Sequence, residues 1–251
     1  MFAFQDTDAE AAYLVDVAFT DRHGGLSGGP FASLNLGASP GDDPQIVERN
    51  IERVARAFAG VPDGHPAPTL VRMRQVHGSQ VQVVEDPSST AAEPPVADAL
   101  VTRLPGVVLM VRVADCVPVL LADRQAGVVG AVHAGRPGLV AGVVPHAVEV
   151  MQALGAESLR AWVGPHVCGA CYEVPAEMRA EVSALVPAAF AETTWGTPSL
   201  DVGAGVLAQL QEARVDVVDE SRCTIEDEDL FSYRRQGRRS GRLAGLIRLR
   251  P

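Results

Sequence analysis

Residues 107–133 read V-V-L-M-V-R-V-A-D-C-V-P-V-L-L-A-D-R-Q-A-G-V-V-G-A-V-H. Three apolar, β-branched runs follow one another here, Val107 to Val113, Val117 to Ala122 and Val128 to His133. Runs of this length without polar alternation are expected of strands buried on both faces. None approaches the roughly 20 apolar residues that a membrane span needs. The centre of the chain is therefore predicted to be sheet, with Cys116 in the break between two strands and His133 at the end of the third.

On the N-terminal side, Tyr13 to Thr20 reads as a strand, followed by a glycine-rich turn from His23 to Pro30 and an extended piece at Ser33 to Leu36. Asp43-Pro44 supplies an N-cap and a first-turn proline. Behind it Ile46, Val47, Ile51, Val54, Ala55 and Phe58 share one face at helical spacing. Leu70 to Val76 and Val81 to Glu85 look like strands, and Pro87 to Pro95 like a loop.

On the C-terminal side, Leu139 to Leu154, interrupted by Pro145, Met178 to Phe190 and Gly205 to Ala213 are predicted helices. Leu159 to Val163, Val215 to Val218 and Leu243 to Leu249 are predicted strands. With no internal repeat and no linker, residues 1–251 are read as one α+β domain of layered mixed β-sheets with flanking helices.

Composition narrows the function. A hydrophobic content of 47% and a mean hydropathy of +0.11 suit a globular core. A net charge of −10 argues against broad binding of nucleic acid or anionic membrane. The N-terminus lacks the basic-then-apolar pattern of a secretory signal, so a cytoplasmic location is expected. All 21 basic side chains are arginine, which excludes a Schiff-base lysine and a P-loop lysine. Arg234, Arg235, Arg238, Arg239 and Arg242 cluster near the end, as a solvated turn or a phosphate site would.

Four cysteines do not make a disulfide scaffold. Cys168 and Cys171 form a C-x-x-C, half of a structural zinc site or a redox pair. Cys116 and Cys223 form no second C-x-x-C, so ordinary partly buried thiols are the expectation.

His77, Cys116 and His133 each end a strand-like run, in R-Q-V-H-G, V-A-D-C-V-P and V-G-A-V-H-A-G. Two imidazoles and a thiolate are a recurring set for a catalytic zinc with an open fourth position. Spacing alone does not bring the three together.

At these motifs the chain resembles the family variously called multicopper polyphenol oxidase, laccase-domain protein, peptidoglycan editing factor, or purine nucleoside phosphorylase of the laccase-domain type. The resemblance runs over nearly the whole length. It rests on F-T-D-R-H-G-G-L-S (Phe19 to Ser27), A-S-L-N-L-G (Ala32 to Gly37), Q-V-H-G (Gln75 to Gly78) and A-D-A-L-V-T (Ala97 to Thr102). It continues in A-D-C-V-P (Ala114 to Pro118), H-A-G (His133 to Gly135), C-Y-E-V (Cys171 to Val174), F-S-Y-R-R and G-R-L-A-G.

The resemblance implies a zinc held by His77, Cys116 and His133. It further implies phosphorolysis of adenosine, inosine, guanosine or methylthioadenosine to base and ribose 1-phosphate, with adenosine deamination beside it. The partners implied are a purine nucleoside and phosphate, with no nucleic acid or membrane, in a monomer or homodimer. Two departures stand out. The family usually continues H-A-G with W-R-G, whereas this chain has Arg136-Pro137-Gly138, and it often has adjacent cysteines where Ala170-Cys171 stand here.

Zinc with an open position can lower the pKa of bound water to about 7 or polarise a substrate atom. Deamination also needs a carboxylate to shuttle protons, and Asp115 and Glu173 lie nearest the motifs. Without lysine, arginine or backbone amides must hold phosphate. Arg234 in S-Y-R-R and Asn35 in S-L-N-L are candidate contacts for phosphate or nucleoside. Six histidines with no H-x-H pair are too few for a full multicopper set in one chain, yet the same trio could bind copper and oxidise phenols. An amidase editing a nucleotide-linked peptidoglycan precursor would use the same three ligands.

Overall fold

A computed structural model describes residues 1–8, 13–38, 41–90 and 93–250. A five-stranded sheet runs, from edge to edge, Phe2–Asp8, Val15–Thr20, Leu243–Leu249, Val108–Val113 and Leu70–Val71. A six-stranded sheet runs Asp216–Asp219, Arg160–Val163, Val117–Asp123, Val128–Ala134, Ala99–Thr102 and Val81–Val83. Both mix parallel and antiparallel pairs, so the α+β class with layered mixed sheets is what the chain adopts. No helix among the described residues is long and apolar enough to cross a membrane.

The period of two along each strand explains the continuous apolar runs. Leu120, Ala122, Val129 and Ala131 face the other sheet and meet Phe19, Leu109, Val111 and Ile247. Their neighbours Val119, Leu121, Val128 and Val132 face away, onto the helices Val143–Ala153 and Val202–Glu212. On the outer face of the five-stranded sheet, Ala18, Met110 and Leu246 receive Val47, Ile51, Val54 and Phe58 of the helix Pro44–Ala59. The order of layers is helix, sheet, sheet, helices. Every central strand is buried twice, and each fully buried aliphatic or aromatic side chain contributes about 1.5–3 kcal/mol.

The helix Pro44–Ala59 starts as its sequence signals, with the Asp43 carboxylate accepting from the Gln45 amide. The helix predicted over Leu139 to Leu154 is two pieces, Arg136–Val140 and Val143–Ala153. The break falls at Gly142, whose φ of 77° is left-handed, while Pro145 sits in the first turn of the second piece, where its missing N–H costs nothing.

Other predicted bounds shift. The strand expected over Leu70 to Val76 is a ladder only at Leu70–Val71, followed by an isolated parallel bridge between Arg74 and Val96, after which the chain turns at His77 and Gly78. Met178 to Phe190 resolves into the helix Ala176–Leu185, a 3-10 turn Pro187–Ala189 and the short strand Phe190–Glu192. Ser33 and Leu34 form a turn instead of an extended piece. Of the predicted loop Pro87 to Pro95, residues 91–92 lie outside the described residues, and Pro87–Thr90 form a 3-10 turn. Ala99–Thr102 is an unpredicted strand, too short to show a period.

Candidate metal centre

The antiparallel ladder between Val117–Asp123 and Val128–Ala134 pairs Val117 with Ala134 and Pro118 with His133. Cys116 and His133 therefore share one end of the six-stranded sheet. His77 joins them from the loop after Leu70–Val71, its Nε2 3.8 Å from the Cys116 Sγ. The two imidazole rings lie 4.8 Å apart at 76°, edge to face. One donor atom from each of the three lies within 4.8 Å of the others. Distances of this order fit a single ion bound through nitrogen and sulfur after a small contraction.

Two residues hold strained backbone here. His77 has φ 60° and Asp115 has φ 88°, left-handed values that non-glycine residues adopt rarely and that concentrate at functional sites. The first is held by Asp98. Its buried carboxylate accepts from the amides of His77 (2.9 Å), Gly78 (2.7 Å) and Val76 (3.2 Å), and from His133 Nδ1 (2.8 Å). Its backbone carbonyl also accepts the His133 amide at 2.7 Å. Asp98 thus fixes one ligand's backbone and the other's ring, leaving His133 Nε2 for an ion. Burial pushes the Asp98 carboxyl up, but the hydrogen bonds from His133, Gly78 and Val76 outweigh it and hold its pKa below the usual range.

The second strained residue is held by carboxylate and carbonyl together. Asp115 Oδ1 accepts from Thr224 Oγ1 at 2.6 Å, Oδ2 accepts from the Arg234 amide at 2.7 Å, and the Asp115 carbonyl accepts from the Val167 amide at 3.0 Å. Three distant segments are pinned beside Cys116.

Electrostatics favour ionised ligands. Burial raises the Cys116 thiol, yet hydrogen bonds from His133 and His77 bring it down to about 6. Burial lowers His133, yet Asp98 and Cys116 raise it to about 9. Both shifts favour a thiolate beside an imidazolium, and an ion bound by the trio would displace the proton between them. Gly135 makes the approach possible, since a Cβ there would stand 2.6 Å from His77 Cδ2 and 3.2 Å from Cys116 Sγ.

The trio lines a cavity of about 610 Å³, large enough for a nucleoside-sized ligand. Arg74, Arg112, Arg136, Arg234 and Arg242 share its wall with Tyr172 and Tyr233, and Asp115 is the acidic residue there. Burial, and the neighbouring Arg72, hold the Arg112 pKa below its ordinary value. A pocket with this balance suits an anionic group beside a planar one. Among the described residues the trio has no fourth protein donor, so a bound ion would keep an open position.

The other candidates from sequence separate. Arg234 reaches the cavity, with its guanidinium 4.4 Å over the Tyr172 ring and Nη1 donating to the Glu173 carbonyl at 2.8 Å. Glu173 is absent from the wall; its carboxylate accepts from Trp195 Nε1 at 2.9 Å. Asn35 is fully buried behind the wall, its amide donating to the Gly37 carbonyl and Asp42 and accepting from the Gly37 and Arg242 amides. It touches the cavity only through Gly37 and Arg242. The C-terminal arginines divide likewise: Arg235 is spent on the carbonyls of Ile225, Asp227 and Leu230, and Arg238 and Arg239 are exposed. Both residues of the Arg136-Pro137 departure line the cavity, so it alters the wall itself.

Sequence reasoning missed Asp98, although A-D-A-L-V-T carried the signal of an aspartate set among buried small residues. It missed Arg74, Arg112 and Tyr172 because nothing in their local pattern marks which face they take.

The description multi-copper polyphenol oxidoreductase laccase matches residues 16–250. A purine nucleoside phosphorylase of Streptomyces griseus is 56% identical over 235 residues, covering 92% of each chain. One of Corynebacterium glutamicum is 47% identical over 232 residues, covering 91% of this chain and 92% of the other. The crystal structure of YlmD from Geobacillus stearothermophilus superposes with a TM-score of 0.84 at 30% identity over 100% of both chains. With a strained histidine, a thiolate and a second histidine gathered at the sheet end, and with that family's pattern running from Asp16 to Arg250, the chain belongs to the multi-copper polyphenol oxidoreductase laccase family.

Proposed function

We propose that this protein is a zinc-dependent purine nucleoside phosphorylase that converts adenosine, inosine, guanosine or methylthioadenosine, with phosphate, to free base and ribose 1-phosphate, and that also deaminates adenosine. The observation that carries the reading is the juxtaposition of His77, Cys116 and His133 with a wall of five arginines around one cavity. The names of the Streptomyces and Corynebacterium relatives support it.

In phosphorolysis a phosphate oxygen bonds to ribose C1′, the bond to the purine nitrogen breaks, and the departing purine takes a proton. The chain's part is to hold a dianion against C1′ and keep the base oriented. Arg234 is preset for the first task, since Tyr172 and the Glu173 carbonyl fix its guanidinium. Tyr233, exposed in the cavity wall, offers a ring for the base, while Tyr172 backs the Arg234 guanidinium. On this reading Asp115, the carboxylate in the wall, takes the proton-holding role in deamination; Thr224 and the Arg234 amide each donate to one of its oxygens. A zinc held by the trio supplies a Lewis acid at the cavity's edge when bound.

The test is product analysis on metal-assayed protein incubated with adenosine, with and without phosphate. Phosphate-dependent adenine and ribose 1-phosphate, lost in Cys116→Ala, are expected. Zinc-loaded protein that yields neither product nor inosine would overturn the reading. Turnover of phenols only on adding copper would favour the oxidase, for which the same His₂Cys set is suited. Release of an amino acid from a nucleotide-linked wall precursor would favour the amidase.

A further inference from the structure

Cys168, Cys171, Cys223 and Glu226 come together some way behind the cavity wall, with one donor atom from each within 4.8 Å of the others. The sequence separates Cys223 from the C-x-x-C by half a hundred residues and suggests ordinary thiols. The fold closes that gap with a parallel bridge between His166 and Cys223, in which the His166 amide donates to the Arg222 carbonyl and the Thr224 amide to the His166 carbonyl.

The four donors form two matching turns. Cys168-Gly-Ala-Cys171 closes with the Cys171 and Tyr172 amides both donating to the Cys168 carbonyl at 3.1 Å. Cys223-Thr-Ile-Glu226 has the same spacing, and the Asp227 amide donates to the Cys223 carbonyl at 2.9 Å. The turns face each other, with the Cys171 thiol already donating to Glu226 Oε1 at 3.4 Å. Cys171 is buried while Glu226 is exposed, so the carboxylate closes the cluster from the solvent side.

We propose that these residues bind a second, structural divalent ion of the zinc class, with three thiolates and one carboxylate as a closed four-coordinate set. Thiolate-rich tetrahedral sets select zinc and need Sγ atoms about 3.8 Å apart, a contraction of about 1 Å or less from the arrangement seen. Binding releases the thiol protons to solvent and involves no redox change.

Such an ion staples the wall of the first site. Val167, beside Cys168, and Thr224, beside Cys223, both hydrogen-bond to Asp115, the neighbour of Cys116. Tyr172, beside Cys171, carries the Arg234 guanidinium. The ion therefore fixes the two loops that position Arg234 in the cavity wall.

The experiment is metal analysis of fully reduced, zinc-saturated wild type after removal of free ion, beside Cys116→Ala, Cys223→Ser and Glu226→Gln. Two zinc ions per chain are expected in the wild type. Cys116→Ala should lose one and keep the other, and Cys223→Ser should lose the other while keeping the one at the trio. Cobalt substitution of the wild type gives an independent reading that needs no variant to fold. Its thiolate charge-transfer absorbance should be about four times that of a single-thiolate site. One ion per chain in the wild type, with single-thiolate cobalt absorbance, would overturn the proposal and leave the trio reading intact. Two ions in the wild type, both retained in Cys223→Ser, would also overturn it. One ion per chain in the wild type with three-thiolate cobalt absorbance, retained in Cys116→Ala and lost in Cys223→Ser, would support the second site and count against the first.

Discussion

Among the described residues cysteine is gathered with other metal-type donors in two places, and the two differ in the number of donors and in what faces them. The trio has three donors at the end of a sheet, facing a cavity of about 610 Å³. The second cluster has four donors on two loop turns, with a carboxylate across its open side. Their electrostatics are opposite. Burial raises both thiols, but two imidazoles bring Cys116 down to about 6, whereas Cys168 and Glu226 push Cys171 further up. Residue type alone does not separate a reactive centre from a structural one. The number of donors and what faces them does.

The comparison can be broken most forcefully at the trio. Cys116→Ala should reduce phosphorolysis about 1,000-fold, the scale of several kcal/mol of lost Lewis-acid stabilisation, and leave the second cluster's metal in place. Initial rates with adenosine and phosphate, set beside metal content, check both halves. If the rate survives, the trio is not the reactive centre.

Asp98→Asn should follow. The amide keeps one acceptor but turns a donor toward the N–H groups that Asp98 now receives, so His77 and His133 lose their common anchor. Zinc affinity at the trio should fall about 10–100-fold, read by competition with a chelator, with the second cluster unaffected. An equal loss at both clusters would mean that the variant acts through overall stability.

Gly135→Ala sharpens the same boundary by sterics. Its Cβ would crowd His77 Cδ2 at 2.6 Å, so the imidazole must shift, and a fall in kcat of about 10-fold is expected. Unchanged kcat would show that His77 tolerates displacement.

The smallest effect tests the link between the two regions. Thr224→Val removes the hydroxyl that donates to Asp115 Oδ1 at 2.6 Å and leaves that buried oxygen short of a donor. About 2 kcal/mol of stability should be lost in denaturant unfolding, with metal content unchanged. A variant as stable as wild type would show that the bond to Asp115 contributes little to holding the loops.

The sequence by itself determined the sheet-rich centre, the capped helix Pro44–Ala59 and the strand Leu243–Leu249, and it singled out His77, Cys116 and His133 as candidates without showing that they meet. These are local signals: apolar runs, a proline behind an aspartate, and ligands set where strands end. Tertiary structure alone decided the rest. Only strand pairing shows that Asp98 stands beside His133, because hydrogen-bond register is set between segments distant in the chain. Only the packing of the one-turn helix Tyr233–Gln236 and of the neighbouring loops shows that Arg234 lines the cavity while Glu173 and Asn35 stand outside its wall, since segments this short carry no period from which a side chain's direction can be read. And only the bridge between His166 and Cys223 turns scattered thiols into a four-donor cluster, because the contact that assembles it lies between backbones and leaves no mark on residue type.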